Sequence, residues 1–437
     1  MSIVSRGACL RLLALFAASC LSVGISAKPV AFTGATILPI SGEPIEDGTL
    51  LIEGKTIKAV GAKVRIPRDA ETIDVSGKVI LPGLVDTHSH VGETAGADRS
   101  APMQPEARVL DSINVRNSGF KRALAGGITT INLMSGSGHL MSGQTIYVKL
   151  REGNSIEAIA YRRDDGEVDG GMKMANGTNP IRTAPFPGTR AKSAAIARQL
   201  YIDAQEYQKK IELADGDPKK MPERSLAKEA LLEVLDGKRI VHFHTHRHDD
   251  ILTVLRLQEE FGFRVVLHHV SEAHRVANEI AAANVPVSLI MLDSPGGKLE
   301  AQYVDGRSAP ILEQAGAKVA LHTDDWITES RHFLRSAGLA VRAGMSRDEA
   351  LRSMTINGAE MLDLDDRVGT LEKGKDADFV ILSGDPLSVY TRVEQTWVEG
   401  VKRFDLDDPD DLAIAEGDFG ALVPTGRGHI HDMGEGH

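Results

Sequence analysis

Cysteine is nearly absent from this chain of 437 residues. Its two cysteines, Cys9 and Cys20, both lie within the first 27 residues. The remaining chain therefore cannot form an internal disulfide or a cysteine-ligated metal site. Any metal ion bound there would need histidine, carboxylate or a modified lysine as its ligands.

Positive charge and aromatic side chains are also scarce. Lys and Arg number 50 against 61 Asp and Glu, which gives a formal net charge of -11, and aromatic residues make up 4% of the chain. These values argue against a nucleic-acid-binding protein, which needs a basic face and aromatic platforms for stacking. We expect a small-molecule substrate as the partner, no nucleic acid, and leave a homo-oligomer open.

No apolar run is long enough to indicate a membrane span. The run over residues 12–25 is too short, follows two arginines and precedes two small residues. This order is typical of a secretory signal peptide over 1–27, so we expect an exported protein, periplasmic or secreted. A lipid anchor on Cys20 is the alternative, but residues 17–20 lack the usual leucine at their first position.

The remaining chain divides into parts by its pattern of strands and helices. Short β-rich runs separated by turn residues fill 28–82 and return over 366–403, whereas β-rich runs alternate with helical patterns over 83–365. That alternation predicts an α/β domain with a parallel sheet. Within it, 189–235 looks like an inserted pair of helices. Residues 404–437 form an acidic, histidine-containing tail that we predict to be irregular.

Histidines stand at the ends of apolar runs. His88 and His90 end the first such run, and alternation along a strand places both imidazoles on one face. Two imidazoles converging in this way suit Zn²⁺ or a similar divalent ion. One isolated pair is, however, more often a partly exposed pair of side chains at the end of a strand.

The same arrangement recurs in three later runs. In one of them alternation places His242, His244 and His246 on one face, with His244 or His246 at the strand end and His242 deeper. The next ends with two imidazoles, His268 and His269, and the last ends with the carboxylate of Asp324. Because active sites of parallel barrels lie at the carboxyl ends of their strands, these residues are expected to converge. Four such runs together predict a metal site made of nitrogen and oxygen ligands.

Longer motifs indicate a known family. The matching segments are 77–90 (GKVILPGLVDTHSH), 125–130 (AGGITT), 242–251 (HFHTHRHDDI), 269–274 (HVSEAH), 322–325 (HTDD) and 369–382 (GTLEKGKDADFVIL). In order and spacing they resemble the amidohydrolase superfamily of metal-dependent hydrolases, in particular its imidazolonepropionase- and prolidase-like branch. The resemblance implies a distorted (β/α)₈ TIM barrel over 83–365. It also implies a small β-sandwich domain built from both chain ends, 28–82 and 366–403.

The resemblance also implies a ligand set for a divalent metal, zinc foremost, as one ion or two. His88 and His90 match the ligands of the first barrel strand, His244 that of the fifth and His269 that of the sixth. Asp324 matches the aspartate of the eighth strand, which in the family contacts the metal and handles the proton.

A lysine ligand is less clearly placed. Members with two metals bridge them with a carbamylated lysine on the fourth strand, and Lys173 in 171–180 resembles it. Lys149, at the end of another apolar run, is the competing position. If neither is carbamylated, the site holds one metal.

The implied chemistry is hydrolysis of a C–N bond in an amide, cyclic amide or dipeptide-like molecule. A metal-activated water attacks, Asp324 transfers the proton, and His269 or His246 helps to stabilise the oxyanion. An aminohydrolase (deaminase) reaction on the same scaffold and an inactive periplasmic binding protein are the alternatives. Polar turns at 135–138 and 176–179 are further candidates for substrate contact.

Overall fold

The computed structural model describes residues 28–292, 298–325 and 327–417. The expected signal peptide, Cys20 and the end of the tail lie outside these ranges. Among the described helices, none has both the length and the apolar composition that crossing a membrane requires.

The strands are β1 (Val30–Ile37), β2 (Ile45–Glu53), β3 (Thr56–Gly61), β4 (Glu71–Asp74), β5 (Val79–Pro82), β6 (Leu84–Ser89), β7 (Ile128–Leu133), β8 (Met141–Gln144), β9 (Ile146–Lys149), β10 (Met172–Ala175), β11 (Val241–Thr245), β12 (Val265–His269), β13 (Val287–Leu289), β14 (Val319–Leu321), β15 (Phe379–Leu382), β16 (Val393–Val398) and β17 (Val401–Asp405). The helices are α1 (Gly119–Ala125), α2 (Ile156–Ile159), α3 (Arg190–Ala214), α4 (Leu226–Leu235), α5 (His248–Phe261), α6 (Ala277–Ala282), α7 (Ser308–Gln314), α8 (Phe333–Arg342), α9 (Arg347–Arg352), α10 (Ile356–Glu360) and α11 (Pro409–Glu416).

Both chain ends meet in one eight-stranded sheet. Its order is β17-β16-β15-β5-β1-β2-β3, with β4 paired to β1, so β15 from the second part lies antiparallel to β5 from the first. Phe32 and Phe379 pack edge to face with ring centroids 5.0 Å apart, and Trp397 stacks on Phe379. The expected union of the two ends is confirmed, and the two-layer sandwich stays a prediction.

The intervening chain forms an α/β fold with mixed sheets, as the strand and helix pattern predicted. One sheet has the order β14-β13-β12-β11-β10-β8, in which β10 to β14 run parallel and β8 is antiparallel; the other has the order β6-β7-β9. Because parallel strands end at one edge, the residues that end β10, β11, β12 and β14 are brought together there.

The inserted pair of helices is confirmed. Thr189 caps α3 by accepting a hydrogen bond from the Lys192 N–H, and Ser225 caps α4 in the same way. The ring of Tyr201 stacks on both Phe261 and Phe263, with ring centroids 5.1 Å apart in each pair, so α3 packs against the end of α5.

The prediction of an irregular tail from residue 404 was wrong for its first part. β17 continues to Asp405, and α11 follows and packs on α1. Asp408 caps α11 by accepting hydrogen bonds from the N–H groups of Asp410 and Asp411. Acidic residues that we assigned to an irregular tail therefore begin a helix, where aspartates interact favourably with the helix dipole.

Candidate metal centre

The carboxyl end of β6 positions the first two histidines. His90 Nδ1 lies 2.7 Å from the carbonyl oxygen of Met134, so this nitrogen carries the proton and donates it. The Nε2 lone pair of His90 is thereby left for another partner, and it lies 3.0 Å from Asp324 Oδ1. His88 is buried, with its Nε2 3.4 Å from the same oxygen. This is the arrangement that an oriented pair of metal-ligating histidines needs.

Asp324 is placed by a network that joins β6 to the segment after β14. Its N–H donates to the His88 carbonyl at 2.9 Å, and its φ of 48° is unusual for a non-glycine residue. Nearby, Asp86 accepts hydrogen bonds from the N–H and the hydroxyl of Thr323 at 3.1 and 2.6 Å. Burial raises the pKa of Asp86 to about 7 despite these donors. Such cross-connections hold the strained aspartate in place.

Lys173 reaches the same centre from β10. Its side chain is completely buried, and its Nζ lies 3.2 Å from His88 Nε2 and 3.1 Å from Met134 Sδ. Burial lowers the pKa of Lys173 to about 7, although nearby Asp324 opposes the shift. A sizeable fraction of this amine is therefore neutral near pH 7, as carbamylation or metal contact requires.

Lys149, the competing lysine, belongs to a different network. Its buried ammonium pairs with Asp376 and lies 3.0 Å from Asp378, and both carboxylates stand on the segment that leads into β15. Burial alone would favour the neutral amine, but Asp378, Tyr161 and Asp376 raise the pKa of Lys149 above its ordinary value. A lysine held charged in this way does not take part in the histidine cluster.

The other predicted residues gather around His269. Its ring centroid lies 4.7 Å from that of His88, 4.4 Å from that of His244 and 5.1 Å from that of His246, on which it stacks. His269 also has a positive φ of 70°, and burial lowers its pKa well below the usual range. All the predicted histidines therefore lie in one continuous array of imidazole rings.

Two residues of this array were missed in the sequence. His322 Nε2 lies 3.1 Å from His269 Nδ1, and its own Nδ1 lies 2.7 Å from Ser288 Oγ. Glu300, on the helical turn Leu299–Ala301, is buried, with Oε1 3.9 Å from His244 Nε2. His322 precedes Asp324 by two residues, a spacing that could have identified it, whereas Glu300 stands on a turn without such a signal.

Among the residues that the structure describes, three groups of side chains bring metal-ligating atoms within 4.8 Å of one another. The groups are His88, His90 and Asp324; His88, His269 and His322; and His244, His246 and Glu300. Histidine nitrogens with carboxylate oxygens are the donors of nitrogen–oxygen zinc sites. The residues present thus fit a divalent ion in chemistry, number and burial.

The two polar turns meet at the edge of this array. Asn179 Nδ2 lies 2.7 Å from Ser137 Oγ and 3.3 Å from His244 Nε2. Lys298 donates to Asn179 Oδ1 at 3.3 Å. Both turns expected to contact substrate therefore reach the histidine array.

Comparison with known proteins identifies the family of the chain. A model of the amidohydrolase family matches residues 79–407. A crystal structure of an amidohydrolase from Thermotoga maritima MSB8 is 34% identical, with a TM-score of 0.80, over 86% of this chain and 100% of that one.

Two curated relatives are more distant in sequence. An amidohydrolase, tasK, of Hapsidospora irregularis is 26% identical over 82% of this chain, which spans only 40% of that protein's length. An imidazolonepropionase of Fusobacterium nucleatum is 23% identical over 80% of this chain and 88% of its own.

Proposed function

The chain belongs to the amidohydrolase family, and from that premise we propose that it hydrolyses a carbon–nitrogen bond in an amide, cyclic amide or dipeptide-like small molecule. The observation that carries this proposal is the contact of His88 and His90 with Asp324, beside a completely buried lysine. Two imidazoles that contact one carboxylate oxygen, with a buried lysine of lowered pKa beside them, are rarely found in a hydrophobic core and are typical of a catalytic site.

A divalent metal, zinc foremost, is proposed as the cofactor, as one ion or two. His88, His90 and Asp324 would hold the first ion, and His244 and His269 a second. Lys173, once carbamylated, would supply a shared oxygen ligand. When bound, such an ion lowers the pKa of water and polarises the carbonyl of the substrate.

Asp324 is proposed as the proton carrier. Its carboxylate would accept the proton of the attacking water and deliver it to the leaving nitrogen. The φ of 48° and the hydrogen bond from its N–H to His88 hold the side chain beside the histidines, so little reorganisation is needed during the reaction. The rings of His269 and His246 stack on each other beside these residues. Either ring would donate a hydrogen bond to the oxyanion that develops on the substrate carbonyl.

The architecture supports a barrel. The end of β6 and the segment after β14 are joined by the hydrogen bond from the Asp324 N–H to the His88 carbonyl, as neighbouring first and last strands of a (β/α)₈ barrel would be. We propose this barrel for 83–365 and a β-sandwich for 28–82 with 366–403. Export through a signal peptide over 1–27 is likewise proposed, on the order of its basic, apolar and small residues.

Metal removal and a substrate panel test the function. The purified protein is stripped with a chelator and reloaded with zinc. It is then assayed on N-acyl amino acids, dipeptides, cyclic amides and aminated bases, with separate detection of new carboxylate and of ammonia. We expect zinc-dependent hydrolysis of at least one amide class without release of ammonia from aminated bases.

Release of ammonia alone would replace the proposal by the aminohydrolase reaction. Failure to bind stoichiometric metal, with no turnover of any class, would favour the inactive binding protein.

A further inference from the structure

A line of buried side chains leads away from the metal centre. His88 Nδ1 lies 3.2 Å from His268 Nδ1, His268 Nε2 lies 3.0 Å from His242 Nδ1, and His242 Nε2 lies 3.0 Å from the hydroxyl of Tyr147. All four side chains are at most 2% exposed. Each nitrogen of the two inner rings is therefore used in the line, which we call the imidazole chain.

At each contact of the imidazole chain two polar atoms lie within hydrogen-bond distance, so one of them donates the proton and the other accepts it. A neutral imidazole has one N–H donor and one bare nitrogen acceptor. In a line of such rings, the position of one proton determines the position of the next.

The state of His88 Nε2 determines the tautomers of all three histidines in the imidazole chain. If His88 Nε2 binds a metal ion it is bare, so Nδ1 carries the proton and donates to His268 Nδ1. His268 must then be protonated on Nε2, which donates to His242 Nδ1. His242 is in turn protonated on Nε2 and donates to Tyr147. The opposite direction would place a proton on His88 Nε2, where the metal ion binds.

We propose that His268, His242 and Tyr147 are positioning residues that hold His88 in its metal-binding tautomer and orientation. This inference rests on the proposed role of His88 as a metal ligand. Buried polar groups that only stabilise the core would have no effect on metal binding. In the imidazole chain, by contrast, a metal ion on His88 Nε2 fixes which atom donates in each of the three hydrogen bonds. Breaking the imidazole chain should therefore weaken metal binding as well as stability.

Two measurements test the proposal with the full-length protein. The first is a ¹⁵N–¹H correlation spectrum of the zinc-loaded wild type, which separates protonated from bare ring nitrogens. We expect protons on Nδ1 of His88 and on Nε2 of His268 and His242. A proton on Nδ1 of His268 in the zinc-loaded protein would overturn the proposal without any variant having to fold.

The second measurement is zinc affinity, determined by competition with a chromophoric chelator. His268→Leu removes the acceptor for His88, and we expect a loss of roughly 10- to 100-fold. His268→Gln offers an amide oxygen as acceptor and should restore most of the affinity. His139→Leu removes another buried histidine whose ring contacts Phe186 rather than the imidazole chain, and serves as the matched control.

The outcomes separate this inference from the proposed function. Wild-type protein that binds no zinc would overturn both. Tight zinc binding that is equal in wild type, His268→Leu and His139→Leu would overturn the imidazole chain alone.

Discussion

The ammonium of Lys149 lies 3.0 Å from Asp378 and so ties the end of β9 to the eight-stranded sheet. Lys173, 24 positions later in the sequence, ends up 3.2 Å from His88 instead. The two lysines look alike in the sequence, since each belongs to a short apolar run. Their surroundings give them different chemistry. Asp376 and Asp378 keep the amine of Lys149 charged, whereas burial lowers the pKa of Lys173 to about 7.

Paired substitution of these lysines should separate stability from metal binding. Lys149→Met leaves Asp376 and Asp378 without their buried cation and should lower the free energy of unfolding by about 3–5 kcal/mol. Zinc affinity of the folded variant should be unchanged. Lys173→Met should instead weaken binding of zinc and abolish any second ion. Urea titration and metal analysis of both variants give the answer, and a Lys149→Met protein that loses zinc while folded would contradict it.

Asp324→Asn tests the proton carrier. The amide keeps the size of the side chain and one oxygen near His90 but cannot accept a proton from water, so kcat should fall by roughly 10²- to 10⁴-fold. Most of the zinc should remain bound, because the histidine ligands are unchanged. The check is kcat, KM and zinc content of the same preparation. Full activity with zinc bound would exclude Asp324 as the proton carrier.

Thr323→Val tests the connection that holds Asp324. The change keeps the shape of the side chain and removes the hydroxyl that donates to Asp86 at 2.6 Å. Because the acceptor is a buried carboxylate, we expect a loss of about 1–3 kcal/mol in the free energy of unfolding. Thr129→Val is the control, since its buried hydroxyl makes no hydrogen bond among the described residues. Equal stability of the two variants would contradict a structural role for this bond.

How much of this centre is visible in the sequence depends on where each residue stands. His88, His90, His244, His269 and Asp324 end or follow apolar runs, so strand alternation and the shared edge of parallel strands were enough to bring them together. Glu300 lies on a short helical turn, where no repeating pattern of apolar residues predicts which way its side chain points. For the pair His268 and His269, only the family resemblance selected His269 as the ligand. The role of His268 became visible through its contact with His242 inside the fold.

The β-rich and helical patterns likewise predicted the α/β fold and both inserted helices, in which apolar spacing and the caps Thr189 and Ser225 agree. They failed at 404–416, where β17 and α11 obtain much of their support from long-range contacts. Arg331, for example, donates to the carbonyl oxygens of Ile414 and Ala415. The choice between Lys149 and Lys173 depended in the same way on Asp376 and Asp378, which lie more than 200 positions along the chain from either lysine.

The lowered pKa of Lys173 predicts a dependence of stability on pH. In the folded, metal-free protein this amine releases its proton at about pH 7, whereas in the unfolded chain it does so near 10.5. Between these values the unfolded state binds one more proton, so raising the pH favours the folded state.

The free energy of unfolding of the wild type, relative to Lys173→Met, should therefore rise by roughly 1.4 kcal/mol per pH unit between about pH 7 and pH 10.5. Below pH 7 the lysine is protonated in both states, and the difference should become flat. Urea titrations of both proteins at several pH values, in buffer free of metal and carbon dioxide, measure the slope. A difference independent of pH across this range would show that Lys173 keeps its charge in the folded protein, and that its neutral amine is not available to the metal centre.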